Sequence, residues 1–284
     1  MATIPKITHV SSRLIRILGC NPGHMTLQGT NTYIVGTGQK RILIDASDAN
    51  VPDYISYLKQ VISHKQITIN DIIVTHWHHD HQGGVDDVLE AIDNKDTCRV
   101  WKYARSDVTE PLDSKVRPLK NGQRFEIEGA TLEVIHTPGH TTDHVIVVLH
   151  EDNAVFSGDC ILGEGTTVFE NLYDYMKSLK LIQTLNPVVI YPGHGNIIND
   201  PMVRISQYIN HRNERERQIL AVFKQHPNEK FTELDLVKQI YKDTPESLWP
   251  AAAMNVNHHL SKLVTEKKIM SDGDCWKLMP SASL

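Results

Sequence analysis

Four short apolar runs in this chain stop at the same kind of residue, and that repetition constrains the fold more than any other feature. DIIVT ends at His76, LEVIHTPG at His140, NAVFSG at Asp159 and PVVIYPG at His194. Each run has the length and β-branched content of a buried strand. Each delivers an imidazole or a carboxylate just past its carboxyl end. Strands of one sheet system finish near one another, so the loops that follow them share a rim, and rims on rigid scaffolds are where sites are built. Pro-Gly precedes two of the histidines, in VIHTPGH (134–140) and VVIYPGH (188–194). That pair fixes a tight turn and lets the backbone approach closely.

The spacing predicts hairpins over NTYIVGTGQKRILIDAS, RFEIEGATLEVIHTPGH and HVIVVLHEDNAVFSGD, and a first strand in RLIRILG. Amphipathic helices are predicted over VPDYISYLKQVISHK, GGVDDVLEAI and LYDYMKSLKLIQTL. Hairpins mixed with separated helices indicate a layered α/β domain, not a purely parallel sheet. The tail differs. HRNERERQILAVFKQH, FTELDLVKQIY behind a Thr232 cap, and PAAAMNVNHHLSKLVTEKKI read as three helices, and KIMSDGDCWKLM as a hairpin. The expected domains are therefore 1–211, layered α/β, and 212–284, winged-helix-like.

Composition excludes several classes. The longest apolar runs, such as 145–149 and 188–190, fall far short of a membrane span, so no membrane partner is expected. The four cysteines are scattered without a CxxC, against both a disulfide framework and a thiolate zinc site. Net charge is −5, and the tail from residue 212 carries 11 basic against 10 acidic residues. That is no basic footprint for nucleic acid, so packing or dimerisation suits the tail equally well. Monomer and homodimer both stay open.

THWHHDHQGG (75–84) places four histidines and an aspartate within positions 76–81. In an extended loop His76 and His78 point to one side and can share a metal, while Asp80 and His81 lie further on and reach a second. With His140, Asp159 and His194 the candidate ligands number seven. Nitrogen and carboxylate donors without thiolate favour zinc, with manganese and iron as alternatives. Two ions about 3.5–4 Å apart need a shared ligand, and Asp159 can bridge. Such a site hydrolyses: a water between two zinc ions ionises near neutral pH, and the ions stabilise the developing oxyanion. Ligation needs neutral imidazole, so activity should fall in acid. His24, His79, His136 and His144 read as supporting or surface residues. His144, four residues past His140, is the one best placed to support the ligands.

H-x-H-x-D-H (76–81), TPGH (137–140), SGD (157–159) and PGH (192–194) resemble, in order, the ligand motifs of the metallo-β-lactamase superfamily. The resemblance implies an αβ/βα four-layer sandwich with a dinuclear site at its edge, holding two Zn2+ per chain. It implies that His76, His78 and His140 hold one ion and Asp80, His81 and His194 the other. Asp159 would lie between, and Asp80 would also orient the attacking water, which makes these two carboxylates the catalytic pair. GCNPGHMTLQGTNTYIVG (19–36), SGDCILGEGTTVFENLYDYMKSL (157–179) and the tail resemble an animal family within it, that of lactamase-beta-like protein 2. This second resemblance implies a zinc-dependent endoribonuclease acting on single-stranded RNA in the mitochondrial matrix. No acidic residue precedes Asp45, as in transit peptides, although the same stretch reads as the first strands of a cytoplasmic protein.

For RNA, neutral hydrogen bonds are expected from Asn21, Thr30 and Asn31, with Thr26 and Gln28. Thr166 and Thr167 would line a groove with Phe169, Tyr173 and Tyr175, whose rings could stack bases. Phe169 and Tyr175 suit the core equally well. His144 is the expected additional substrate contact, and it or a metal-bound water would protonate the leaving group. The rivals are a glyoxalase II-type thioesterase, a mononuclear-iron persulfide dioxygenase and a non-catalytic binding module. LGEGTTVFENLY lacks the basic cluster a glutathione thioester would want.

Overall fold

The computed structural model describes residues 3–105, 108 and 115–279. Two sheets carry the first two hundred residues. The first has seven strands in chain order: β1 (Ile7–Ser11), β2 (Leu14–Leu18), β3 (Asn31–Val35), β4 (Lys40–Ile44), β5 (Thr68–Val74), β6 (Arg99–Lys102) and β7 (Arg117–Pro118). β1 to β4 pair antiparallel, and β4 to β7 pair parallel. Parallel neighbours need crossovers. α1 (Pro52–Lys65) makes the first; α2 (His79–Gln82) and α3 (Val85–Ala91) lie in the second. The other sheet runs β12-β11-β10-β9-β8, from β8 (Arg124–Ile127), β9 (Ala130–His136), β10 (Val145–Leu149), β11 (Ala154–Gly158) and β12 (Val189–Pro192). α4 (Leu172–Leu185) crosses between the parallel pair β11 and β12.

Every residue of β2, β3, β10 and β11 is buried. These strands do not alternate in hydropathy because both faces of each sheet are covered. Between the sheets lie Tyr33, Ile44, Val134, Val147 and Phe156. Leu58 and Val61 of α1 and Val88 of α3 cover the outer face of the first sheet against Leu43 and Ile72. Tyr175 and Leu179 of α4, with Ile205 of α5 (Pro201–Gln225), cover the second against Ile146, Val155 and Ile190. Each fully buried aliphatic or aromatic side chain contributes about 1.5–3 kcal/mol. The result is the expected four-layer helix–sheet–sheet–helix sandwich.

The tail is a winged helix built from the end of α5, α6 (Glu233–Ile240), α7 (Trp249–Thr265) and the hairpin β13 (Ile269–Asp272) and β14 (Cys275–Leu278). Thr232 caps α6 in a reciprocal box with Asp235. The division expected at 211/212 falls inside a continuous helix. Ile205, Tyr208 and Ile209 of α5 belong to the sandwich core, whereas Ile219, Val222 and Phe223 belong to the core of the tail. The polar stretch between them changes which core the helix faces without interrupting it.

Candidate metal centre

Four strand ends converge where the two sheets meet. β5 runs out at Val74, and Thr75 follows with its N–H donating to Asp45 Oδ1 at 2.8 Å. His76 and His78 come next, where the chain bends at residues 76 and 77 instead of running on extended. At His78 (φ −58°, ψ 142°) the backbone enters the single helical turn α2, which carries Asp80 and His81 away to another side of the cleft. His140 sits in the turn after β9, where Gly139 adopts φ +129° and a Cβ would lie 2.3 Å from the Tyr175 backbone. Asp159 follows β11. His194 follows β12 through Gly193, at which a Cβ would stand 2.5 Å from Asp159 Oδ1. Glycine at 193 therefore keeps space beside the carboxylate.

The seven residues form two adjoining clusters: His76, His78, His140 and Asp159, then Asp80, His81 and His194, the donor atoms of each lying within 4.8 Å of one another. His76 Nε2 is 3.0 Å from His78 Nδ1, and His140 Nε2 is 3.2 and 3.1 Å from those two atoms. Three imidazole nitrogens converging this closely cannot all find protons or acceptors in one another, and a cation satisfies all three lone pairs. In the second cluster His81 Nε2 and His194 Nε2 are 3.3 Å apart, with Asp80 Oδ2 at 3.2 and 3.0 Å. Asp159 spans both: Oδ1 is 3.4 Å from His81 Nε2 and from His194 Nε2, and Oδ2 is 3.8 Å from His140 Nε2. Its buried Oδ1 makes no hydrogen bond. This donor set fits two adjacent divalent metal ions.

Partners behind the rings aim the free nitrogens at the cleft. His81 Nδ1 donates to Asp45 Oδ2 at 2.7 Å, and His140 Nδ1 to the Val168 carbonyl at 2.7 Å. His76 Nδ1 lies 3.0 Å from Thr75 Oγ1, whose hydroxyl donates to Asp45 Oδ2 at 2.9 Å. Asp45 thus serves both clusters. The electrostatics differ between them. Burial, reinforced by neighbouring imidazoles, pushes His76 well below the usual histidine value and His78 down to about 4. Burial also lowers His140. Burial opposes charge on His81 as well, but Asp80, Asp45 and Asp159 overcome it and hold this ring well above the ordinary value. His194 is likewise raised to about 9 against burial, by Asp159 and Asp80.

Several expected substrate contacts prove to support the site from behind. His144 is fully buried: Nδ1 is 2.9 Å from Thr137 Oγ1, and Nε2 accepts from the Asp159 N–H at 3.2 Å. It fixes the backbone under Asp159, with both ring nitrogens engaged and no surface exposed. Asn31, also buried, donates to the Pro192 and Gly195 carbonyls. Thr30 donates to Asp80 Oδ2 at 3.1 Å, and Asn21 donates to Thr30 Oγ1 and Asp48. Thr26 donates to the Asn21 carbonyl, and Gln28 Oε1 accepts from the Ile4 N–H. Phe169 stacks on buried Tyr175 in the core, and Tyr173 lies under Lys177. Of the expected contacts, Thr166 and Thr167 do line the metal cleft, a hollow of about 260 Å³.

Sequence reasoning missed Asp45, although RILI of β4 also ends in an acid, the same signal as the other four runs. It also missed Met25, Leu27 and Glu164, which line the cleft together with His24, the last an exposed histidine read as a supporting or surface residue. These come from irregular loops without periodicity. A further buried pair, Lys102 to Asp143 at 2.9 Å, anchors the loop after His140.

This sandwich, with its paired clusters at one edge, belongs to the metallo-β-lactamase superfamily. The model of that family matches residues 25–194, and the β-lactamase associated winged helix domain matches 232–276. Within it, the chain is 52% identical over 293 residues to the Drosophila melanogaster protein named beta-lactamase-like protein 2 homolog, covering 100% of both. It is 47% identical to the Caenorhabditis elegans protein of the same name, over 92% of this chain and 89% of the relative. These names agree with the family resemblance seen in the sequence. It is also 40% identical, over 79% of this chain and 67% of the relative, to an atrochrysone carboxyl ACP thioesterase of Aspergillus novofumigatus. Among solved structures, a beta-lactamase domain protein from Burkholderia ambifaria shares the fold, with a TM-score of 0.77 at 17% identity over 97% of this chain and 95% of the other. The chain is thus a metallo-β-lactamase superfamily hydrolase with a His/Asp cluster suited to divalent metal ions.

Proposed function

We propose that this hydrolase cleaves single-stranded RNA at a centre of two zinc ions. The observation that carries the reading is the pair of clusters sharing Asp159 at one cleft. Two adjacent cations suit in-line displacement at a phosphodiester, because both the attacking and the leaving oxygen need charge stabilisation. The family resemblance supplies RNA as the polymer, and a mitochondrial matrix location belongs to the same reading.

When bound, the zinc ions would act as Lewis acids toward the phosphate and lower the pKa of water. The chain's own residues do the rest. His76, His78 and His140 present neutral nitrogens on one side, and Asp159 reaches across to the other. Asp80, held by the Thr30 hydroxyl, presents a carboxylate that accepts the proton of the attacking water. His24, exposed on the cleft wall, is the imidazole available to protonate the leaving oxygen.

One observation favours a second reading. A fungal relative is named a thioesterase, and Met25, Leu27, Leu162 and Val168 give the cleft an apolar lining suited to an acyl chain. The test sets zinc-loaded protein beside His76→Ala, with labelled single-stranded RNA and an acyl thioester as parallel substrates. Cleavage of the RNA by wild type and not by the variant is the expected result. Thioester hydrolysis without RNA cleavage would replace the first reading with the second.

A further inference from the structure

Beside the metal cleft lies a second hollow of about 400 Å³. Thr166, Thr167 and Val168 line both, so the two adjoin across this strip. One wall of the second hollow is α7 of the tail, which contributes Met254, Asn255 and His258, and Arg212 of α5 also lines it. The hollow is therefore made by both domains.

Arg212 is only 5% exposed. One Nη donates to the Thr167 carbonyl at 3.2 Å, and the guanidinium lies 4.8 Å from the centre of the Phe169 ring. Its Nε has no partner. The ionisable groups that favour its charge are the hydroxyls of Tyr175, Tyr208 and Tyr241. Among the described residues no carboxylate pairs with it. Lys262, buried in the same tail, sits between Glu216 and Glu266. Arg16 and Arg41 are buried about as deeply; Arg212 differs in lining a hollow beside the metal cleft. A buried cation without a counter-ion is costly, and an anion entering the hollow would relieve that cost. Across from it, His258 is kept neutral near pH 7 by burial and by Arg212 itself, so it offers a lone N–H donor. Asn255 offers an amide.

We propose that this hollow is an anion subsite, in which Arg212, Asn255 and His258 hold a phosphate or carboxylate of the substrate one unit away from the bond cut at the metals. The proposal rests on the hydrolase reading of the adjoining cleft, and not on RNA as the substrate. It makes α7 a wall of the substrate channel, and so gives the winged helix a role that needs no basic surface.

The test measures Kd on the zinc-loaded full chain, its Arg212→Gln variant and its Asn255→Asp variant, with two pairs of probes. One pair is a short single-stranded RNA and the same RNA with one neutral methylphosphonate linkage beside the scissile one. The other is a glutathione thioester and its dimethyl ester. Wild type should prefer the charged member of one pair by about tenfold or more, the scale of a charge-assisted contact, and both variants should bring that ratio near one. Asn255→Asp is isosteric and places a carboxylate of the chain's own in the hollow, where it repels the substrate anion and competes for Arg212, so it answers the question even if Arg212→Gln does not fold. A variant-sensitive preference in the RNA pair supports the subsite with phosphate as its anion. The same preference in the thioester pair alone supports the subsite and removes the RNA reading. A uniform loss of affinity for both members would make Arg212 a strut and overturn the proposal. So would the lack of any variant-sensitive preference, even with RNA efficiently cut.

Discussion

The two halves of the metal centre are built from opposite electrostatics. His76, His78 and His140 face one another with burial driving their pKa values down. His81 and His194 sit among Asp80, Asp159 and, behind His81, Asp45, which drive theirs up despite burial. Without metal, the first half is a set of empty lone pairs at neutral pH, whereas the second holds protons that a cation must displace. One site can thus contain a half that is ready for metal and a half that must exchange protons for it.

Asp159 is the residue that belongs to both halves, so its loss tests their coupling most severely. Asp159→Asn should lower turnover by more than about 100-fold, beyond the 10–100-fold typical of losing a group behind a ligand. It should also weaken retention of both ions, read as metal content after dialysis. His76→Ala should remove an ion from the first half alone. If Asp159→Asn loses only one ion, the halves are independent and the bridging role is wrong.

Asp45→Asn gives the next largest effect. It replaces the acceptor of the His81 Nδ1 proton, and the expected cost is about 10–100-fold in metal affinity. The loss should fall mainly on the second half, because His76 reaches Asp45 only through the Thr75 hydroxyl. Stepwise zinc titration of the chelated protein separates the halves. Equal weakening of both steps would show that Asp45 organises the whole centre.

The sequence and the structure agree where a strand end fixes a side chain. His76, His140, Asp159 and His194 were legible because an apolar run leaves no choice about where it stops. Short polar residues near such ends were misleading. Asn31 and His144 look like substrate contacts in sequence, but where the strands run out the backbone groups need partners, and these side chains supply them. β1 and β6 escaped notice because exposed residues interrupt their apolar pattern, and β7 because it is two residues long and both are exposed. The expected division at 211/212 let the first helix of the tail begin where the domain does, whereas α5 already starts at Pro201 and serves two cores. Arg212 shows no pattern at all in sequence, since its setting comes from Phe169 and α7.

The pH dependence of loading sharpens the comparison without any mutation. His194 is raised to about 9, so in the metal-free protein it is charged below that pH, and His81 is charged with it. Binding at this half displaces those protons, so its affinity should fall as pH drops from 9 to 6, by about tenfold per unit for each proton released. His78, pushed down to about 4, is already neutral throughout that window; burial holds His76 well below the ordinary value and shifts His140 in the same direction. The first half should therefore load with nearly constant affinity. Zinc titrations at pH 6, 7, 8 and 9 should show one flat step and one steep one, and two parallel steps would remove the electrostatic distinction between the halves.

The smallest effect comes from Thr30→Val, which deletes the hydroxyl that donates to Asp80 Oδ2 at 3.1 Å and keeps the shape of a fully buried side chain. The substitution also removes an acceptor of the Asn21 amide, which keeps Asp48. The bond to Asp80 contributes about 0.5–1.5 kcal/mol, more when its acceptor is charged, so the expected loss is several-fold to about tenfold in turnover. Asp80 keeps its contacts to His81 and His194, so metal content should not change. The variant therefore separates holding an ion from orienting the carboxylate that faces the attacking water. A fall in turnover with full metal content assigns Thr30 to the orientation of Asp80. A loss of the second ion would mean that Asp80 is needed at this half mainly as a ligand, and would weaken its assignment as proton acceptor.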